Sequence, residues 1–573
     1  MTPRQSLAII LAAAAMAPAA MAQTLNKEIT VERDIVPEHR DVDRLRLTPV
    51  ITMPAATAPG LDFSMGDKPV GVAPTVTTLG LPMPVLRPVD NYRGYVSAGI
   101  MPVFNAGLSA GYRILDTQDT RLGAWLQYNG TVYKGTYPRP GSSADGVPES
   151  ERTFRKWMRR HSASAGADFS HRWSDADELQ ATIAYTFARY NTSEDITEEY
   201  SPNFNQNVNR FNALFDWRHT DRSGLSYGLG GAYTMFGFVK DIPDSQRKPA
   251  RQHDIRFQAD AFLGLGEGNS AGITAAISSV SGKNIDKVFE DDWADVDKNQ
   301  LLVRLTPAYR YDNGALSAVL GANLDISHGT DKNFHASPAA KATLRFGDSS
   351  RLSVSATGGM VQNTLASLYD ISPYMSMANT YYMSNVPYDL NANLLLGPSA
   401  GVYLEIFGGY AKANNWLMPS RYFLDSNYLR ASYEPVDIRG WHVGVTLGYT
   451  AGKTAEMKIT GQMASHSKEN ETRGWYLWRD RAKYVIEAMA RVNATDRLSL
   501  SGTYTFRGGR NCPFDYYQCR GAVSTLSIGA TYRINDALSV FANGDNLFNR
   551  TYVMIGNAVS QGITGLAGVS YRF

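Results

Sequence analysis

The stretch Leu498-Ser-Leu-Ser-Gly-Thr-Tyr-Thr-Phe-Arg507 alternates apolar and polar side chains with a strict period of two. This pattern indicates a β-strand that has one apolar and one polar face. The segment Leu526 to Ile534 repeats it, and the chain ends on Val569-Ser-Tyr-Arg-Phe573 with the same alternation. An aromatic last residue within an alternating strand indicates the closing strand of a barrel.

The same alternation recurs from residue 92 onward and predicts 22 strands, including 389–397, 400–412 and 436–451. Every second connection is short and rich in Asn, Asp, Gly and Ser, which tolerate tight-turn geometry. The other connections are mostly long and polar, and the longest of these predicted connections is 363–388. Outer-membrane barrels have short periplasmic turns and longer external loops. An even strand count then predicts that both termini are periplasmic.

Composition supports this fold class and argues against several others. The 573 residues include 56 Lys and Arg against 54 Asp and Glu, so no strong basic field predicts nucleic-acid binding. Aromatic residues make up 11% of the chain, and no run of about 18 apolar residues follows residue 22. We therefore predict an all-β, transmembrane, antiparallel β-barrel of the outer-membrane type, inserted among outer-membrane lipids by the barrel assembly machinery. A β-propeller or a set of soluble sandwiches is the alternative.

The chain divides into three parts. Residues 1–22 have the basic start, apolar middle and small-x-small end of a secretory signal peptide. Residues 23–91 form a proline-rich segment, with eight prolines between residues 49 and 88, and we expect it to be extended in the periplasm or the lumen. Residues 92–573 form the predicted barrel.

Two cysteines, Cys512 and Cys519, lie in one predicted external loop. In an exported protein we expect them to form a disulfide; a metal pair is the alternative, but no histidine is nearby. The nine histidines lack metal-binding spacing, and no nucleophile or phosphate-binding motif stands in its proper context. We therefore predict no catalytic residue, metal or cofactor. A barrel-embedded lipid hydrolase is the one enzymatic alternative.

The predicted connection 363–388 is rich in tyrosine and methionine from Tyr369 to Tyr388. Its apolar character favours either a loop that contacts a ligand or partner, or a loop folded into the lumen. An ordered lid that packs on itself is an equal alternative. The candidate residues are Tyr374, Met375, Met377, Tyr381, Tyr382 and Met383.

The end of the chain carries a recognisable motif. Asp545-Asn-Leu-Phe-Asn-Arg-Thr-Tyr552, followed by Gly565 to Phe573, resembles the C-terminus of TonB-dependent outer-membrane receptors. The residues that match are Asn546, Leu547, Phe548, Tyr552, Tyr571 and Phe573. The resemblance implies a 22-strand barrel and uptake of a solute across the outer membrane of a Gram-negative bacterium.

The chain departs from this family in its N-terminal part. Family members carry a globular plug of well over 100 residues, whereas only the proline-rich segment 23–91 precedes the barrel here. Glu28-Ile-Thr-Val-Glu32 resembles a TonB-binding strand only in its length and character, so engagement of TonB is left open. The expected function is solute passage through a plug-less barrel. The alternative is a structural or assembly subunit whose N-terminal arm binds a periplasmic protein or lipoprotein.

Overall fold

The computed structural model describes most of the predicted barrel. The described residues are 92–101, 104–138, 153–193, 203–221, 224–239, 249–284, 299–328, 333–347, 349–373, 383–420, 432–452, 454–468, 482–509, 522–552 and 559–573. The predicted signal peptide and proline-rich segment lie outside the described residues.

The described residues form 22 strands and one helix. The strands are β1 Gly94–Met101, β2 Asn105–Asp116, β3 Thr120–Pro138, β4 Thr153–Arg172, β5 Asp177–Ser193, β6 Asn203–His219, β7 Leu225–Phe238, β8 Arg251–Gly266, β9 Asn269–Lys283, β10 Asn299–Asp312, β11 Leu316–His328, β12 Phe334–Phe346, β13 Ser350–Gln362, β14 Met383–Ser399, β15 Val402–Ser420, β16 Ser432–Ala451, β17 Ala455–Lys468, β18 Tyr484–Asn493, β19 Leu498–Gly508, β20 Val523–Arg533, β21 Leu538–Asp545 and β22 Thr564–Arg572. The helix, α1, spans Leu365–Ile371.

The strands form one closed antiparallel sheet. Each strand pairs with its neighbours in sequence, and β22 pairs with β1 from Tyr95↔Arg572 to Ile100↔Ala567. The predicted fold class and strand count are therefore confirmed. Among the residues that the structure describes, no helix has the length and apolar character needed to cross a membrane.

The two faces of the sheet differ as the alternation predicts. Leu500, Ile528 and Val569 expose between 41% and 49% of their surface on the outer face. Directly paired residues share a face of the sheet. The strand pairings therefore assign the residues of every other strand to the outer or the inner face. The inner face carries polar and charged side chains, among them Asp254, Arg304 and Asp325.

The start of β1 and the C-terminal Phe573 lie at the rim of the short turns. The Arg113 amide donates to the carbonyl of Arg93, and the Gly94 amide donates to the carbonyl of Phe573 at 2.8 Å. At the opposite rim, β14 to β16 extend beyond their predicted bounds. The reason is two register shifts, Asn385/Tyr388 and Ala413/Trp416, because a bulge interrupts the period of two from which strands are predicted.

Candidate functional site

The hairpin of β13 and β14 bends into the lumen near its tip. The register between these strands shifts between Thr357 and Gly359. Gly359 has φ +141°, and a Cβ there would lie 2.3 Å from Nη2 of Arg304. Only glycine fits such a position easily, so the bulge bends the strand where β10 approaches it. We call residues 358–373 and 383–386 the lumenal hairpin.

An ion pair on the inner wall holds the bend. Nε and Nη2 of Arg304 donate to the two carboxylate oxygens of Asp325 at 2.6 and 2.9 Å. Nη2 also donates to the carbonyl of Met360 at 2.9 Å, and the Met360 amide donates to Asp325 at 2.6 Å. Asp325 is fully buried. The pair therefore binds both backbone groups of one hairpin residue, while Asn323 donates to the carbonyl of Gly358 at 2.8 Å.

Further along, the hairpin crosses neighbouring strands of the wall. The Gln362 side chain accepts from the Ser278 hydroxyl of β9 at 2.5 Å and donates to the carbonyl of Gln300 in β10 at 3.4 Å. The Leu365 amide donates to the Gln252 side chain of β8 at 2.6 Å. The last contact gives the Leu365 amide, at the start of helix α1, the hydrogen-bond partner that it lacks outside the sheet.

Helix α1 begins with a capping box. The Thr364 side chain accepts from the Ser367 amide at 3.1 Å, and the Ser367 hydroxyl accepts from the Thr364 amide at 2.9 Å. This cap begins a helix of only two turns whose Leu365 and Leu368 are buried. A helix this short depends on tertiary packing for its stability.

The end of α1 contacts the inner faces of β5, β6 and β7. Tyr369 packs on Phe236 of β7, with ring centroids 5.2 Å apart, and on Tyr190 of β5 at 6.1 Å. Nη1 of Arg210 in β6 donates to both carboxylate oxygens of Asp370 at 2.9 and 2.8 Å. The hairpin thus contacts the inner faces of β5 through β11.

Burial raises the pKa of the Tyr369 hydroxyl, and the nearby Asp370 carboxylate acts in the same direction. Arg160 of β4 and Arg210 oppose this shift electrostatically. The tyrosine is therefore neutral at physiological pH while the helix is seated.

Apolar contacts seat the other flank of the hairpin. Val361 and Val386 pack with Ala413 of β15 and Ile438 of β16 in one buried cluster, in which the last two side chains are fully buried. Met360 packs with Leu302 and Met383 in another. Apolar burial on an inner wall is unusual for a water-filled lumen, so these clusters mark a seat for the hairpin.

The structure brings one predicted site residue into this seat. Met383 is 2% exposed and belongs to the hairpin. The other five candidates of this connection, Tyr374, Met375, Met377, Tyr381 and Tyr382, lie outside the described residues, as do Cys512 and Cys519. Ligand contact by this connection and the disulfide stay predictions.

Sequence reasoning predicted the whole of 363–388 as a connection, and in this respect it was wrong. The structure has helix α1 within it, and β14 begins at Met383. The Thr364–Ser367 cap was the available signal for the helix. Arg304, Asp325 and Arg210 were missed because inward charges are ordinary in a barrel.

The C-terminal motif organises a second connection that packs on the inner wall. Asn546, with φ +48°, donates to the carbonyls of Arg550 and Gln561 at 2.6 and 2.9 Å and accepts from the Arg550 amide at 3.1 Å. Tyr133 of β3 donates to the carbonyl of Val559, which is fully buried, at 2.7 Å. The asparagine thus fixes the turn that starts this connection.

The remaining motif residues lie around this turn. The Leu547 amide donates to the carbonyl of Leu526, and the Tyr552 amide donates to the Ser560 hydroxyl. Phe548 is 48% exposed and meets Tyr504 edge-on. At the opposite rim Tyr571 and Phe573 lie with ring centroids 6.1 Å apart. The motif residues therefore have structural contacts at both ends of the closing strand.

The described part of the chain contains no group of three or more His, Cys, Asp or Glu side chains arranged to hold a metal ion. The features that this part of the chain offers are a polar inner wall, the Arg304–Asp325 ion pair that holds the hairpin, and the two apolar clusters against which the hairpin packs. Such an arrangement can admit or block a solute.

Comparison with known proteins shows which solved structures share this fold. No family model matches the sequence. Among solved structures, the siderophore receptor PirA of Acinetobacter baumannii superposes with a TM-score of 0.60 at 11% identity, over 85% of this chain and 81% of that one. The ferripyoverdine receptor of the Pseudomonas aeruginosa outer membrane gives 0.57 at 11% identity, over 85% and 72%. The barrel has the fold of these outer-membrane receptors.

A curated sequence relative supports a local likeness. The ferric enterobactin receptor of Pseudomonas aeruginosa is 36% identical over 96 residues. This match covers 15% of this chain and only 13% of the relative. The receptor-type barrel is thus recognised by its structure over most of the chain and by sequence over a short part of it.

Proposed function

We propose that this protein is a receptor-type outer-membrane barrel that passes a solute, and that its lumenal hairpin closes the passage. The observation that carries the proposal is the anchored bend of β13 and β14 across the inner faces of β5 to β11. A barrel of this strand number has a wide interior, which a cell must obstruct. The lumenal hairpin, which is part of the same chain, would obstruct the interior of the barrel.

We base the proposed solute class on the names of the structural neighbours. Receptors named for siderophores, ferripyoverdine and ferric enterobactin share this barrel fold. We propose a ferric chelate or a compound of similar size as the solute. Recognition would then fall to the long connections at the external rim. These include the Cys512–Cys519 loop and the predicted candidates other than the buried Met383, namely Tyr374, Met375, Met377, Tyr381 and Tyr382. The short turns and both termini would face the periplasm.

The proposal includes the absence of a globular plug. Residues 23–91 are short and proline-rich, so we assign them a secondary role as an extended segment in the periplasm or lumen. The hairpin, rather than a domain, would then control the passage. Uptake measured in cells with and without TonB tests whether transport is energised through this segment.

The test is uptake of radiolabelled ferric chelates by a strain that lacks its own siderophore receptors. Expression of the full chain should give saturable uptake of at least one chelate, and vector alone should give none. The proposal fails if no chelate enters, no conductance appears with or without residues 23–91, and a protein partner co-purifies in fixed ratio. That combination would instead identify an assembly subunit.

A further inference from the structure

The inner wall beneath helix α1 is basic. In the half of β3 to β7 nearer the long connections, three cations face the lumen, namely Lys156, Arg160 and Arg210. Arg160 pairs across the strands with Tyr190, whose ring contacts Tyr369 of the helix. The described inward positions of the same half include no Asp or Glu. A carboxylate that enters this part of the lumen would therefore meet a wall whose described positions carry net positive charge.

Helix α1 itself brings a carboxylate to this wall. Nη1 of Arg210 donates to the two oxygens of Asp370 at 2.9 and 2.8 Å. The Asp370 side chain is 54% exposed, so this contact remains open to the water of the lumen. Arginine binds carboxylates and phosphates through the same charge-assisted hydrogen bonds. Asp370 therefore occupies the position that an oxyanion of a solute would take on this wall.

A second guanidinium on the wall lacks an acceptor while the helix is seated. Nη1 of Arg160 and the hydroxyl of Tyr369 are both buried, and neither has a hydrogen-bond partner among the described residues. Arg160 acts electrostatically on this hydroxyl, so the two groups are near neighbours. A buried donor without an acceptor is unfavourable, because it has lost its contacts with water and gained none in exchange. The seated helix thus leaves unused a donor that an oxyanion could satisfy once the helix lifts.

We propose that this wall is an oxyanion-binding surface of the passage, and that the seated helix occupies it with Asp370 in place of a solute carboxylate or phosphate. A solute oxyanion would take Arg210 from Asp370 and give Arg160 its missing acceptor, so its binding displaces the helix. Opening then follows from differential affinity, because the oxyanion binds the unseated arrangement and not the seated one. The inference rests on the proposed passage through the lumen, and it adds the charge of the solute and the trigger for opening.

The first test uses citrate as the probe and measures the open probability of the full chain in planar bilayers without divalent cations. Citrate should raise the open probability saturably, whereas sodium chloride at equal ionic strength should not. Arg160→Met removes a charge whose Nη1 has no described acceptor, so the open probability without citrate should stay at the wild-type value. The half-maximal citrate concentration should rise about tenfold, because one hydrogen bond to a charged group is lost.

Arg507→Met is the matched control, because Arg507 is an inward, half-buried cation on β19, outside the described hairpin contacts. It should leave the half-maximal citrate concentration unchanged. The charge swap Arg210→Asp with Asp370→Arg keeps an ion pair but places an acid on the wall, so citrate should lose most of its effect. Equal shifts in Arg160→Met and Arg507→Met, or a swap that keeps the full citrate response, would overturn the proposal.

Calorimetry of the full chain in detergent is a readout that needs no transport. Citrate should bind Asp370→Asn more tightly than wild type, because the competing carboxylate is removed, and it should bind Arg160→Met more weakly. Folding of each variant is checked by heat-modifiable mobility on gels. The same affinity in wild type and both variants would overturn the proposal, even if a chelate is taken up. The predicted order of affinities without any conductance would count against the proposed function alone.

Discussion

Arg304 and Asp325 form a bidentate ion pair on the inner wall, and the same two side chains hydrogen-bond the carbonyl and amide of Met360. Asp325 is fully buried, and the Arg304 side chain is 17% exposed. A buried pair contributes little beyond an apolar alternative, but removing one partner leaves the other charge uncompensated. The position of the hairpin against the wall therefore depends on this ion pair being intact.

Replacing Asp325 with asparagine should unseat the hairpin. The change keeps the shape but leaves the Arg304 guanidinium without its counter-ion, at a cost of about 3–5 kcal/mol to the seated state. We expect larger and more frequent openings in planar bilayers. The control is Asp216→Asn, which removes the partner of Arg218 on β6 at 2.8 Å, away from the described hairpin contacts. Equal effects in both variants would contradict the anchor role.

A methyl group at the bend should have a similar consequence. Gly359→Ala forces a positive-φ residue to carry a Cβ that lies 2.3 Å from Nη2 of Arg304. We expect the hairpin to leave its seat, measured as faster proteolysis of residues 364–382 in intact outer membranes. Gly461→Ala is the matched control, because a Cβ there meets nothing within 4 Å. Protection equal to wild type in Gly359→Ala would be evidence against the bend.

The Arg210–Asp370 pair should matter less than the anchor. Its side chains are 30% and 54% exposed, and such pairs contribute about 0.2–1 kcal/mol. Arg210→Asp and Asp370→Arg alone should each raise the open probability only a few-fold. The double variant should restore the wild-type value, because the swapped charges attract again. Failure of the swap to restore closure would show that the contact is incidental.

The seated helix should be sensitive to alkaline pH. Burial raises the pKa of Tyr369 above its ordinary value of 10.0. A group whose pKa is raised in the seated state stabilises that state fully below the ordinary value and loses this contribution as pH rises through the raised one. Conductance should therefore increase above about pH 10 in wild type. Tyr369→Phe should remove this part of the pH dependence, and an unchanged profile would exclude the hydroxyl as its cause.

The C-terminal motif should prove structural. Asn546→Ala removes three side-chain hydrogen bonds, each contributing about 1 kcal/mol, and places alanine at φ +48°. We expect a lower yield of assembled barrel, measured by heat-modifiable mobility. Phe548→Leu, which changes an exposed residue of the same motif, should assemble normally. Normal assembly of Asn546→Ala would contradict the role of the asparagine.

Some of this architecture is readable in the sequence and some is not. Alternation such as that of 498–507 predicts strands because each residue faces either lipid or lumen. The same rule fails at the bulges of β14 and β15, where parity changes within a strand. The motif asparagine was recognised by resemblance, but its hydrogen bonds needed the fold. Arg304 and Asp325 lie 21 residues apart, and no local pattern distinguishes them from other lumen charges.

Single-channel conductance of a chain without its hairpin tip tests the central claim most directly. Gln362 and Met383 are register partners, so an Asn-Gly turn can replace residues 363–382 and join the two strands. The comparison is made in the full chain and again in a chain that also lacks residues 23–91. We predict that, in both backgrounds, replacement increases the conductance step well above that of the intact hairpin. Identical conductance with and without the hairpin tip would contradict the account.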